Sequence, residues 1–176
     1  MKAAKLGLFF STGTRQTEKV ALQVKEQLGE HITWPQPINA AVPSELSKYD
    51  GLVLGVPSYL WDRYRVSALD WDTVVPPFSN PRDLEGKKVA FFGCGDQLGY
   101  PENFVDGMGI VWEMMQLRGA DLVGKTSTEG YEFTRSKAAR GGEFCGLAID
   151  QDNQSDLTEA RIKAWCQQLR RELELD

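Results

Sequence analysis

The chain has 176 residues, 41% apolar and 26% charged, with a formal charge of −5 and a sequence pI near 5.0. That is enough chain for one domain with a substantial core, and the excess of acid argues against nucleic acid as the principal ligand, since such binding needs clustered lysine and arginine. No apolar run approaches the roughly 20 residues that cross a bilayer and the N-terminus has no signal-peptide pattern, so a cytoplasmic protein without membrane contact is expected.

Lys5-Leu6-Gly7-Leu8-Phe9-Phe10 is an apolar run of strand length. It stops at Ser11-Thr12-Gly13-Thr14-Arg15-Gln16-Thr17, where nearly every residue is a hydroxyl, an amide or a glycine. Val20, Ala21, Val24 and Leu28 then recur at helical spacing. This predicts a helix over 16–28 and makes the polar stretch a strand-to-helix turn. Residues 31–38 read as a short second strand interrupted by proline, with Ser44-Glu45-Leu46 in a helical turn after it. Gly51-Leu52-Val53-Leu54-Gly55-Val56 is a buried strand ended by Pro57, and Lys88-Val89-Ala90-Phe91-Phe92-Gly93 is another. A helix over 103–118 presents Phe104, Met108, Val111 and Met115 on one face. Asp121-Leu122-Val123-Gly124 starts a further strand, and a polar stretch, 125–142, separates it from the apolar Glu143-Phe144-Cys145-Gly146-Leu147-Ala148. The last helix, 158–173, turns Ile162, Trp165, Leu169 and Leu173 inward.

Strands this short and apolar, alternating with amphipathic helices, predict a parallel α/β sheet covered on both faces. With no repeat, low-complexity tract or linker, residues 1–176 are expected to form a single domain. In such sheets ligands bind beyond the carboxyl ends of the strands. Loops 11–17, 57–72 and 94–103 all follow strand ends, so they are expected to converge on one pocket.

The first loop offers Ser11, Thr12, Thr14 and Thr17 as hydroxyls, Gln16 as an amide, and Gly13 where backbone must come close. At the positive end of a helix dipole this suits a phosphate. The Gly-Lys-Ser/Thr ending of nucleotide triphosphatases and the G-x-G-x-x-G of dinucleotide sites are both missing, which favours a terminal monophosphate. Arg15 either turns inward as a charged donor or stays solvated on the first helical turn. The second loop, Pro57-Ser58-Tyr59-Leu60-Trp61-Asp62-Arg63-Tyr64, carries three aromatics, fit to stack on a flat ring or to pack on one another. In the third, Gly93-Cys94-Gly95-Asp96-Gln97-Leu98-Gly99-Tyr100-Pro101-Glu102-Asn103, the glycines admit a ligand to the backbone, Asp96 and Asn103 can bond a polar ring edge, and Tyr100 adds an aromatic face. The only histidine is His31, so nothing is placed to activate Cys94, which reads as a buried thiol. Cys94, Cys145 and Cys166 have no metal-type spacing and predict neither a disulfide framework nor a metal site. Together the loops describe a planar, monophosphorylated ring, the shape of FMN.

These residues resemble the long-chain flavodoxin family over nearly the whole chain. Thr12-Gly13-Thr14-Arg15-Gln16-Thr17 is similar to its T-x-T-G-x-T loop, and Gly93–Tyr100 to G-T-G-D-Q-x-G-Y. Thr128-Glu129-Gly130-Tyr131-Glu132-Phe133 and Gly146-Leu147-Ala148-Ile149-Asp150-Gln151-Asp152-Asn153-Gln154 also match, and 125–142 corresponds to the insertion in the fifth strand that defines the group. The resemblance implies a flavodoxin-like, doubly wound five-stranded parallel sheet of order 2-1-3-4-5, with helices on both faces. It implies noncovalent FMN with Tyr100 on the outer ring face. Asp96, Asn103 and the backbone of Cys94 and Gly95 would lie at the ring edge and ribityl chain, and Asp152 at the ribityl chain. Ser58, Tyr59 and Leu60 fall in the inner-face loop, with the Leu60 carbonyl receiving the N5 proton.

The activity implied is that of a low-potential one-electron carrier, not an enzyme, cycling FMN between neutral semiquinone and hydroquinone. Its partners would be a reductase-type donor and a low-potential acceptor, and the carrier a monomer. The sequence departs from the family at Arg15, which replaces a glycine. It departs again at Tyr59 and Trp61, either of which can be the inner stacking ring, and at Trp61–Trp71, where Arg63 and Arg65 are expected to face solvent. Two other readings stand on the same residues: an FMN-dependent quinone or azo reductase, and a flavin-free interaction module.

Overall fold

The computed structural model describes residues 6–41, 46–58 and 84–175. The expected helical turn at 44–46 falls largely outside them. So do Tyr59, Leu60 and Trp61 and the two arginines Arg63 and Arg65.

Strand β1 (Leu6–Phe10) is buried at every position, and helix α1 (Arg15–Leu28) follows it directly. Strand β3 (Gly51–Pro57) lies beside β1, in parallel, from Leu6 opposite Gly51 to Phe10 opposite Gly55. Strand β4 (Lys88–Cys94) pairs along the whole of β3, ending with Pro57 opposite Cys94. The second strand is shorter than 31–38. Only β2 (Gln36–Pro37) pairs with β1, besides an isolated bridge between Ile32 and Leu6. Proline cannot donate to a ladder, which keeps the paired stretch short. Ahead of it the Thr33 N–H donates to the Leu6 carbonyl at 2.9 Å, and the Thr33 hydroxyl oxygen accepts from the Leu8 N–H at 3.1 Å.

The fifth position of the sheet is made by two strands. Strand β5 (Asp121–Val123) pairs with Lys88–Ala90, and β9 (Leu147–Ile149) takes over along Phe92–Cys94. Between them the chain folds into a small antiparallel sheet of order β6-β8-β7, formed by β6 (Thr126–Ser127), β7 (Ala139–Arg140) and β8 (Glu143–Phe144). The main sheet thus has the parallel order β2-β1-β3-β4-β5 with an interrupted last strand, as expected. The interruption is wider than the sequence indicated. Residues 143–148 are divided between two sheets, hinged at Gly146, where a Cβ would lie 2.3 Å from the Phe91 carbonyl oxygen.

Alternation along the strands sends side chains to two cores. On one face Leu52, Leu54, Val56 and Phe91 meet Met108, Val111 and Met115 of helix α2 (Asp106–Gln116), together with Phe144 of the insertion. On the other Leu8, Val53, Ala90 and Phe92 meet Val20 and Val24 of α1 and Ile162, Trp165 and Leu169 of helix α3 (Thr158–Glu172). Helix α2 starts at Asp106 instead of 103, because Val105 adopts a left-handed conformation, with φ of 48°. That conformation is costly for a β-branched residue and is held by the surrounding bonds. Ser136 Oγ–H donates to the Phe104 carbonyl, and the Lys137 N–H donates to Asp106 Oδ1 at 2.7 Å. No helix among the described residues is long and apolar enough to cross a membrane.

The insertion is seated on α2 through Gly109, where a Cβ would come within 2.4 Å of the Lys137 carbonyl group. That neighbour is backbone and cannot rotate away. Gly109→Ala is therefore expected to lower stability by about 2 kcal/mol through overpacking, read as a shift of the urea midpoint at unchanged slope. A midpoint equal to that of the unaltered protein would show that the insertion does not press on the helix.

Candidate functional site

The carboxyl ends of β1, β3, β4 and β9 stand side by side, since Phe10 is opposite Gly55, Pro57 opposite Cys94, and Cys94 opposite Ile149. The loops leaving them surround a cavity of about 490 Å³. Thr14 and Gln16 line it from the first loop and Ser58 from the second. Cys94, Gly95, Asp96, Tyr100 and Asn103 line it from the third. Gln151 and Asp152 complete it from the loop after β9. The convergence of distant segments expected from the order of elements is present in the described residues.

In the first loop, Thr14 is the N-cap of α1. Its backbone is extended, with φ of −142°, and its Oγ1 accepts from the Thr17 N–H at 3.4 Å. The Thr14 and Thr17 hydroxyls lie 2.9 Å apart. Thr17 is fully buried and bonds the Cys94 side chain, so it braces the loop against β4 instead of facing the cavity. Ser11 is likewise buried, its N–H donating to the Gly55 carbonyl at 3.0 Å. Thr12, Gly13 and Arg15 are exposed, which places Arg15 on the solvent side of the first turn. The first N–H groups of a helix have no intrahelical acceptor, so this end of the cavity is electropositive without a buried cation.

The third loop is built by side chains as much as by backbone. Asp96 Oδ1 accepts from the Leu98 N–H at 3.1 Å, the Gly99 N–H at 2.7 Å and Asn153 Nδ2 at 2.8 Å. The Gly99 bond, then that from Asn153, holds the Asp96 carboxyl below its ordinary range despite a small opposing cost of burial. Asp96 thus lines the cavity with one oxygen already engaged in shaping the loop. Its carbonyl accepts from the Tyr100 N–H at 3.0 Å, and the Tyr100 ring is left 59% exposed at the cavity's rim. Asn103 also lines the cavity, while its Nδ2 donates to Asp106 Oδ2 at 3.1 Å. Gly95 packs closely, since a Cβ there would lie 2.6 Å from Ser58 Oγ and 3.1 Å from the Phe104 ring.

Two acceptors at the base of these loops were not singled out from the sequence. Asp150 is 1% exposed, and Gln97 is equally buried. Asp150 Oδ1 accepts from the Asp152 N–H at 3.1 Å and the Asn153 N–H at 3.0 Å, and its Oδ2 accepts from the Gln97 N–H at 3.0 Å. Gln151 was missed as well. The available signal was a cluster of two carboxylates and three amides ending an apolar strand, in the run Leu147–Gln154.

All three cysteines are buried and unbridged. Burial pushes the Cys94 thiol up to about 12, with the Thr17 bond opposing, so it stays protonated and un-nucleophilic, as expected. Burial likewise raises Cys145 and Cys166 to about 12. Among the described residues no group of His, Cys, Asp and Glu side chains is arranged to hold a metal.

A doubly wound sheet with a hydroxyl-rich turn at its first helix and a cavity of this size at its carboxyl edge defines a ligand-binding α/β architecture. The flavodoxin family profile matches residues 8–165. The chain is 42% identical to a flavodoxin of Nostoc sp. over 171 residues, covering 97% of this chain and 98% of that one. It is 40% identical to flavodoxin 1 of Escherichia coli, covering 97% and 95%. Among solved structures it is similar to Fusobacterium nucleatum flavodoxin bound to flavin mononucleotide, with a TM-score of 0.84 and 26% identity over 96% of this chain and 98% of that one. The chain belongs to the flavodoxin family, whose members are electron-transfer proteins and not enzymes.

Proposed function

We propose that this chain is a one-electron carrier that holds FMN noncovalently in the cavity at the ends of β1, β3, β4 and β9. The observation that carries the reading is Ser58. It lines the cavity, and its buried hydroxyl has no hydrogen-bond partner among the described residues. A buried hydroxyl left in that state is costly and calls for a polar ligand. FMN supplies the capacity to take up and release electrons singly.

The residues divide the ligand between them. Within the loop Ser11–Thr17, residues Thr12 to Gln16 would receive the phosphate, through backbone amides at the start of α1 and the hydroxyls of Thr12 and Thr14, with Arg15 adding positive charge from the solvent side; Ser11 and Thr17 would brace the loop from behind. Ser58, Asp152 and Gln151 would meet the ribityl chain. Tyr100 would cover the outer ring face, the backbone of Cys94 and Gly95 would meet the ring edge together with Asn103, and Pro57, Tyr59, Leu60 and Trp61 would close the inner face. Asp96 stays ionised, and Asp150 lies behind it. The Asp96 carboxylate at the ring edge would oppose further negative charge, which would lower the potential for the second electron.

On this reading residues 1–176 act as one monomeric domain in the cytoplasm. The partners are a reductase-type donor and a low-potential acceptor enzyme. The purified protein is expected to be yellow, and titration with dithionite is expected to pass through the long-wavelength band of the half-reduced flavin. A colourless protein that leaves the fluorescence of added FMN unchanged would overturn the reading.

A further inference from the structure

The loop that carries Tyr100 is fixed from behind by residues that do not line the cavity. Gln97 is 1% exposed and bonded on two sides. Its N–H donates to Asp150 Oδ2 at 3.0 Å, on the connection that leaves β9. Its Oε1 accepts from the Glu132 N–H, on the insertion that precedes β7. A second pair of bonds pins the far end of the loop, where the Thr134 and Arg135 N–H groups donate to the Pro101 carbonyl at 2.8 and 2.9 Å. Tyr100 stands between these two anchors. Among the described residues its backbone hydrogen bonds stay within the loop, to Asp96 and Asn103, so its ring is placed by what holds Gln97 and Pro101. The insertion is itself rigid at that point. The Tyr131 ring packs against Phe104 at 5.8 Å and Phe144 at 5.0 Å, and its hydroxyl donates to the Ala148 carbonyl at 2.6 Å.

We propose that Gln97 is a positioning residue for ring binding: bonded to both the insertion and the β9 connection, it sets the position of the Tyr100 ring without touching the ligand. The inference rests on the FMN reading above. It deepens that reading by giving the insertion's contact with the cavity a defined residue. Removing the Gln97 acceptor takes away the partner of the partly buried Glu132 N–H and frees one anchor of the loop, a change on the scale of a lost hydrogen bond.

The test titrates FMN and riboflavin into apo-protein carrying Gln97→Met, which keeps length and burial but removes the acceptor, with Tyr100→Ala and the double variant alongside. Both ligands have the ring and only FMN has the phosphate, so Gln97→Met is expected to weaken both alike, by about tenfold. With Tyr100 already removed, the further loss is expected to fall to about twofold or less, because the two residues act as one unit. Asp150→Asn turns an amide nitrogen toward the Gln97 N–H and breaks the same tie from the other side. It is expected to repeat the pattern, and it carries the test if Gln97→Met does not fold. The inference is overturned by unchanged affinity, by a loss confined to FMN, or by a full tenfold loss in the Tyr100→Ala background. If the unaltered protein binds neither flavin, the cofactor reading falls first and this inference with it.

Discussion

Trp165→Ala is expected to lower the unfolding free energy by about 5 kcal/mol, the upper end of the range for truncating a buried aromatic. Trp165 is among the largest fully buried side chains, 1% exposed, on the face of α3 that packs against the sheet. It meets the Phe92 ring edge-on at 6.4 Å, and its Nε1–H donates to the Gly124 carbonyl at 2.8 Å. That carbonyl belongs to the residue at which the chain leaves the main sheet for the insertion, with φ of +81°. Truncation therefore opens a cavity and strands a buried acceptor at the break in the fifth strand. Domains are stable by only about 5–15 kcal/mol, so the variant should sit near the edge of folding at room temperature. Trp165→Phe keeps most of the volume and should cost about 2 kcal/mol, mainly through the lost hydrogen bond. Urea denaturation followed by far-ultraviolet circular dichroism measures both, and a cost under about 2 kcal/mol for the alanine variant would contradict the packing argument.

The second large effect concerns ligand affinity. Replacing Thr12 and Thr14 together by alanine is expected to weaken FMN binding about 100-fold, from two bonds to a charged phosphate at about 1.5 kcal/mol each. Riboflavin affinity should be unchanged, because the proposed ring site, at Tyr100, is at the other end of the cavity from these threonines. The same change removes the N-cap of α1 and should cost about 1 kcal/mol of stability, a separate quantity read by denaturation. Equal losses for FMN and riboflavin would place the phosphate elsewhere. This pattern is the converse of that expected from Gln97→Met, so the two variants together separate the ends of the site.

The geometry of the first loop was legible because it is local. Seven consecutive polar residues between an apolar run and a helical periodicity specify a strand, a turn and a helix, and all three are present. The strands were legible for a similar reason, being buried on both faces and therefore continuously apolar. Asp96 was a different matter. Its residue type fitted a ring-edge contact, yet one of its oxygens is occupied by Leu98, Gly99 and Asn153, and Asn153 is distant in the chain. The polar cluster after β9 marked Asp150 only as one of several polar residues and Gln97 stood inside a loop motif, and the role of each is defined by what it meets across the fold. The helix expected from 103 begins at Asp106 because the insertion holds Val105 in a conformation its own side chain disfavours.

By itself the sequence determined the class of sheet, the helices that cover it, the edge at which a ligand binds and the flavodoxin resemblance. Each of these depends on periodicity, composition or spacing within short windows of chain. The tertiary structure alone decided where the fifth strand divides, which loop residues face the cavity and which stand behind them. Those outcomes turn on hydrogen bonds and steric contacts between segments far apart in the chain, and no local pattern encodes them.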